Sequence, residues 1–196
     1  MGISVFFAMR QIKAVTLSLI DDVLPGLVVS ADLQATTSAQ QLDLLRHLLS
    51  EDQEEMRMFE SRIETRQYAS DKLFNRYKRV ITDEEENRSF QKVVAARIKY
   101  RQIRSELLEF SRTQPVTAVE KYHRVVVRPR FEAYQSALNQ LYQANSQLAF
   151  KLTERIQSTA VWTGLFINIL CIVSILLGVI FTIWLVFKVW LSSSLG

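Results

Sequence analysis

Along the middle of the chain, apolar residues recur at alternating steps of four and three, the spacing that gathers them on one face of an α-helix. The first such seam is Leu24, Val28, Ala31, Ala35, Ser38, Leu42, Leu45 and Leu49. Pro25 can only start or kink a helix, so the first bundle helix is placed at 25–49. Ser50, Glu51 and Asp52 then offer a cap and early acidic residues suited to the positive end of the next helix. Its seam runs Met56, Phe59, Ile63, Arg66, Ser70, Leu73, Tyr77, Val80 and is polar at its centre. Thr82 with Glu85 has the spacing of a capping box, and the third seam follows as Val93, Ala96, Tyr100, Ile103, Leu107, Phe110. A break at Gln114 and Pro115 ends it. Thr117 with Glu120 repeats the capping-box spacing and opens a long seam of Val127, Phe131, Tyr134, Leu138, Leu141, Asn145, Leu148 and Leu152. Nothing breaks this fourth helix before the apolar run that follows, and Pro129 is placed to kink it rather than end it.

From residue 156 the pattern changes. No charged residue lies between Arg155 and Lys188, a stretch longer than the ~20 helical residues that a bilayer core requires. Trp162 and Trp184 or Trp190 fall where interfacial aromatic residues belong. We therefore place a membrane helix at 157–187 and a short cytoplasmic tail at 188–196. At the other end, residues 1–9 carry Ile3, Val5, Phe6, Phe7 and Ala8 before Arg10 and Lys13 interrupt. Nine helical residues reach only ~14 Å, and no basic residues precede the run as a signal peptide requires. Residues 1–20 read as part of a first membrane helix whose beginning is missing from this chain. The alternative is the frayed apolar end of a soluble helix.

Composition narrows the class. No glycine occurs between Gly26 and Gly164, and the prolines in that interval are Pro115 and Pro129, so hairpins have almost nothing to be built from. Four seams with short connections predict an all-α fold, an antiparallel up-down-up-down four-helix bundle over 21–156 whose fourth helix continues into the membrane. The net charge of +4 is spread over intermixed acidic and basic residues, as on solvated helix faces, and does not point to nucleic acid. Cys171 is the single cysteine, inside the apolar run. Neither Cys/His metal spacing, nor a Gly-rich phosphate loop, nor a nucleophile with its base is present. No cofactor, metal or catalysis is expected.

With these residues in place, the chain resembles the four-helix-bundle sensor domain of methyl-accepting chemotaxis receptors and related bacterial signal transducers. The resemblance covers about 12–156. It rests on Leu24-Pro25, Leu45-Arg46-His47-Leu48-Leu49, Thr82-Asp83-Glu84-Glu85-Glu86, Tyr100 with Leu107-Leu108-Glu109-Phe110-Ser111, and Arg128-Pro129-Arg130-Phe131, in that order and spacing. It implies a periplasmic domain anchored in the inner membrane of a bacterium. Such a domain binds a small solute or a solute-loaded periplasmic binding protein, acts as a homodimer through its first and last helices, and passes a small displacement of the last helix through the membrane. The family continues into a HAMP module and a cytoplasmic signalling coiled coil, which this sequence lacks; the expectation is a truncated or fragmentary receptor.

Candidate ligand residues follow from spacing. Arg97, Arg101 and Arg104 share one face of the third helix beside Tyr100, where guanidinium forks could hold an anionic solute, a carboxylate above all. Arg62 and Arg66 on the second helix and Arg124 and Arg128 on the fourth repeat the four-residue step. The competing reading is a solvated basic face balanced by Glu106 and Glu109. Arg46 and His47 fall near the membrane-distal tip, with a surface role as the alternative. Asn145, fully polar within its seam, has the character of a register-fixing residue. A rival function is a tail-anchored structural or assembly protein. Lys151 and Arg155 on the domain side of the membrane helix, against Lys188 beyond it, favour that orientation.

Overall fold

The structure is a computed structural model in which residues 2–81 and 84–194 are described, with side chains at 9–10, 12–81 and 84–184. Every regular element among the described residues is helical. In order they are α1 (Gly2–Ser18), a π-helical turn (Leu19–Val23), α2 (Leu24–Leu49), α3 (Gln53–Lys78), α4 (Glu84–Ser111), α5 (Val116–Tyr122), a second π-helical turn (His123–Val127) and α6 (Arg128–Ser194). Four helices, α2, α3, α4 and the α5–α6 stretch, are consistent with a four-helix bundle.

Each π-helical turn stands just before a proline that the helix survives. The Leu24 N–H bonds to the Leu19 carbonyl and the Arg128 N–H to the His123 carbonyl, both five residues back. Pro25 and Pro129 lack an N–H, and their rings would crowd the carbonyl four residues back. The wider turn accommodates that ring, so Pro129 neither ends nor sharply interrupts the helical path, and Pro25 lies inside helical structure rather than opening it. The expected cap of the second bundle helix forms, with the Asp52 carboxylate accepting from the Glu54 N–H at 3.1 Å. The expected box at Thr117 and Glu120 does not: Pro115 is the cap residue and Thr117 lies within the first turn of α5, with no side-chain capping bond. Thr82 of the other box lies outside the described residues.

Leu17–Lys151 forms one compact unit and the residues up to Thr16 together with those from Leu152 form another. In the first, the seams of α3, α4 and α6 turn inward as periodicity requires, with Phe59, Ile63, Tyr77, Val93, Tyr100, Leu107, Tyr134 and Leu138 buried. The seam of α2 does not. Leu24, Val28, Leu42 and Leu49 are exposed, and α2 instead buries Val29, Leu33 and Leu44 together with Ser30, Thr37, Gln40, Asp43 and His47. Hydrogen bonds explain the reversal. Gln40 donates to the Ile63 carbonyl at 3.0 Å, Thr37 to the Tyr134 hydroxyl at 3.2 Å, and Asp43 accepts from Arg66 at 2.7 Å, so these polar groups enter the core satisfied.

In the second unit, no described side chain from Leu152 to Trp184 is buried. Two helical stretches, Ile12–Leu49 and Val116–Trp184, are long and apolar enough to cross a membrane. The most apolar part of the latter has none of its residues buried, unlike a core helix of a soluble protein.

Candidate ligand site in the polar layer of the bundle

Halfway along the bundle unit the core stops being apolar. Thr37 and Gln41 from α2, Gln67 and Ser70 from α3, Tyr100 and Arg104 from α4 and Tyr134 from α6 form a polar layer, which Gln41 extends to His123 in the second π-helical turn. The polar centre of the α3 seam, visible in the sequence at Arg66 and Ser70, is where this layer crosses that helix.

Its aromatic part is built on Tyr100. The ring stacks on Tyr134 with centroids 5.9 Å apart and leans on Phe131 at 5.4 Å. Its hydroxyl donates to Gln41 Oε1 at 2.7 Å. Burial pushes the Tyr100 phenol up to about 12, against the lowering effect of the Arg104 cation. Burial raises Tyr134 as well, opposed first by its bond to Thr37 and by Arg97. With Gln41 Oε1 occupied, the Gln41 amide nitrogen turns to His123 Nε2 at 3.4 Å. An amide nitrogen only donates, so His123 Nε2 accepts and the ring is neutral. Burial, then the Arg128 charge, lower the His123 pKa below its usual value and agree with that tautomer.

The arginines singled out by spacing divide into groups. Arg97 and Arg101 converge on one carboxylate: both bond to Asp71 Oδ1, Arg101 at 3.0 Å. Arg97 also lies over the Phe74 ring at 4.0 Å. Arg66 bonds Asp43, whose side chain is 2% exposed. The counter-charges of these arginines are Asp71 and Asp43, which arrive from neighbouring helices, rather than the Glu106 and Glu109 of the competing reading. Arg62 is separate from this layer: it lies 5.8 Å from the Phe59 ring and, with Arg46, lines a hollow beside the α2–α3 connection. Arg128 pairs with Glu132 on its own helix at 2.8 Å.

Arg104 differs from all of these. It is 3% exposed, bonds the neutral Gln67 Oε1 through Nη2, and has its guanidinium 5.6 Å from the Tyr100 ring centre. Among the described residues it makes no ion pair, and its Nε–H is buried without an acceptor. Burial therefore lowers its pKa, with the Tyr100 hydroxyl opposing.

Sequence reasoning missed Gln41, Gln67, Thr37 and His123 as members of the layer, since neutral polar residues give no periodic signal. Of Arg46 and His47, assigned to the membrane-distal tip with a surface role as the alternative, His47 is not a surface residue. His47 is fully buried, with Nε2 3.0 Å from Ser111 Oγ and Nδ1 3.3 Å from the Met56 carbonyl. Asn145 is a core residue, and it donates to the Tyr77 hydroxyl at 2.6 Å.

Among the described residues no cluster of three or more His, Cys, Asp or Glu could hold a metal ion. Comparison with curated proteins gives no match. A family model described as a four helix bundle sensory module for signal transduction matches residues 1–160, most of this 196-residue chain. The family is one of sensory modules rather than of enzymes. The chain belongs to the four-helix-bundle sensory modules for signal transduction.

Proposed function

We propose that this chain is the ligand-sensing part of a chemoreceptor-like transmembrane signal transducer, with the bundle on the extracytoplasmic side of a bacterial inner membrane. The observation that carries the reading is the polar layer at Tyr100 and Arg104: a ligand that rearranges hydrogen bonds there acts on every bundle helix at once, α6 included. An up-down-up-down antiparallel order is supported by cross-helix partners whose numbers run in opposite directions. Gln34, Thr37 and Gln41 meet Leu138, Tyr134 and His123, while Glu60, Gln67 and Asp71 meet Arg112, Arg104 and Arg97.

The ligand is a small anionic solute, free or delivered by a periplasmic binding protein, drawn to the arginine-rich side of α4. The working unit is a homodimer. Its contact is the outward stripe of α2, where Leu24, Val28, Leu42 and Leu49 stand exposed. Leu42→Glu is expected to weaken self-association of the full chain in nanodiscs without loss of helicity, as read by light scattering and circular dichroism. Crosslinking that succeeds only through α3 and α4 would reject this interface.

Calorimetric titration of the full chain with organic acids, amino acids and neutral sugars tests the ligand class; exclusive binding of a neutral solute rejects it. A second reading, a tail-anchored assembly protein with the bundle in the cytosol, is favoured by Lys151 and Arg155 on the bundle side of the apolar run. A reporter at position 194 in intact cells separates the two: an extracytoplasmic bundle requires a cytoplasmic tail.

A further inference from the structure

We propose that Arg104 is the residue that holds the ligand's charge, and that the ligand is a compact monoanion, a small carboxylate or an inorganic anion, taken into the polar layer between α3 and α4. This rests on the reading of the bundle as a sensor of anionic solutes and narrows it to one guanidinium and one size of ligand.

The case is one of competition for charge. An anion at Arg97 or Arg101 must displace Asp71, which both already bond. An anion at Arg66 must displace Asp43, itself buried and left unpaired by the exchange. Arg104 has no carboxylate to surrender. Its partners are neutral, the Gln67 amide oxygen and the Tyr100 hydroxyl, weaker acceptors than an ionised group. The buried Nε–H has no acceptor, and among the described residues it is the one buried side-chain nitrogen or oxygen in that condition. A buried cation without a counter-ion and a buried donor without an acceptor both disfavour the layer as it stands. One anion relieves both, bonding Nε–H together with an Nη–H in the fork geometry that guanidinium offers.

The walls of the layer set the size. Tyr100 and Tyr134 are 1% and 2% exposed, and Ser70 is 3% exposed, so the smaller the ligand, the less these packed side chains must give to admit it. Entry moves Gln67 off Arg104 and parts α3 from α4 where Arg101 and Asp71 join them. This links binding to a displacement between helices.

The test uses the full chain in lipid nanodiscs, titrated separately with sodium formate, acetate, chloride and nitrate at constant ionic strength, with thermal unfolding followed by circular dichroism. At least one of these anions is expected to raise the wild-type midpoint in a saturable manner, and formate and acetate against chloride and nitrate distinguish a carboxylate from an inorganic ligand. Arg104→Gln is expected to weaken that binding roughly tenfold or more, the loss of a charge-assisted contact, while Arg97→Gln and Arg101→Gln do not weaken it. Should Arg104→Gln not fold, Arg104→Lys decides, since it keeps the charge but loses the fork, and unchanged affinity there overturns the proposal. Binding that depends on Arg97 and ignores Arg104, or binding of larger acids with none of the four compact anions, also overturns it while the anion-sensor reading stands. Exclusive binding of a neutral solute removes both.

Discussion

Two polar interruptions of the same core, one at Asn145 and one at Arg104, are built to opposite ends. At the first, the Asn145 amide donates to the Tyr77 hydroxyl at 2.6 Å, and that hydroxyl donates on to Glu86 Oε1 at 2.8 Å. The charge sits at the end of the chain on a half-buried carboxylate, beside a hollow lined by Glu85, Ser89, Gln147 and Lys151. Gly26 of α2 packs against this group, an added Cβ falling 3.4 Å from Asn145 Oδ1. Each donor has an acceptor, as in a layer that fixes register. At the second, the charge lies in the middle of the core and a donor is left over. A satisfied polar layer specifies which residues face each other, whereas an unsatisfied one retains a capacity to bind.

The contrast is sharpest when the charge is removed. Replacing Arg104 with Met keeps an unbranched stem in place of the aliphatic part of the side chain and deletes a buried cation that has no carboxylate partner, so stability is expected to be unchanged or to rise by as much as ~4 kcal/mol. Denaturant unfolding of the full chain measures it, and a loss of several kcal/mol would show that Arg104 holds the layer together and erase the distinction drawn between the two layers.

Alkaline pH discriminates next. The Tyr100 phenol is held up to about 12 by burial, so the folded chain keeps a proton that the unfolded chain releases near 10. Its contribution is fully present below pH 10 and is lost as pH rises towards 12, on the order of 2 kcal/mol. Tyr134 shifts the same way. His123 acts at the other end of the scale: its lowered pKa favours the neutral ring, so that contribution is present above about pH 6.5 and disappears as pH falls through the folded value. Unfolding midpoints across pH, with tyrosinate absorbance, test both. In Arg104→Met the cation that lowers Tyr100 is gone, so its ionisation should move higher still.

Tyr77→Phe strikes the satisfied layer. It removes the hydroxyl between Asn145 and Glu86 and leaves the Asn145 amide without that acceptor, a loss of about 1–3 kcal/mol. An effect near zero would mean the Asn145 layer is no more specified than the other. The smallest change is Gly26→Ala. Its methyl meets Asn145 at ordinary contact distance, and helix propensity favours Ala by up to ~1 kcal/mol. A loss of stability here would show a tighter fit than the geometry describes.

Much of this architecture was legible beforehand, and the exceptions share a cause. Phe59, Ile63, Tyr77, Val93, Leu107, Tyr134 and Leu138 are buried at the positions their periodicity marked, because an apolar face has no better environment than a core. The Asp52 cap was readable because its acceptor and donor are two residues apart. Both π-helical turns escaped notice, although Pro25 and Pro129 pointed to the places where the backbone had to adapt. On α2 the apolar stripe was read as the core seam and lies outside, since the opposite face carries Thr37, Gln40 and Asp43, whose partners are on other helices. The arginine cluster was found as a cluster, but its division into paired and unpaired members was not.

By itself the sequence determined the helices, their approximate ends, the apolar run beyond Arg155, the family resemblance and the presence of polar residues mid-core. These depend on local spacing and on transfer from water, both of which are properties of a segment. Only the tertiary structure decided which face of α2 turns inward, that Asp71 neutralises Arg97 and Arg101, and that Arg104 is buried with no carboxylate beside it. A polar group's burial is decided by its partner, and here the partners are tens of residues away along the chain, 37 in the case of Gln67 and Arg104.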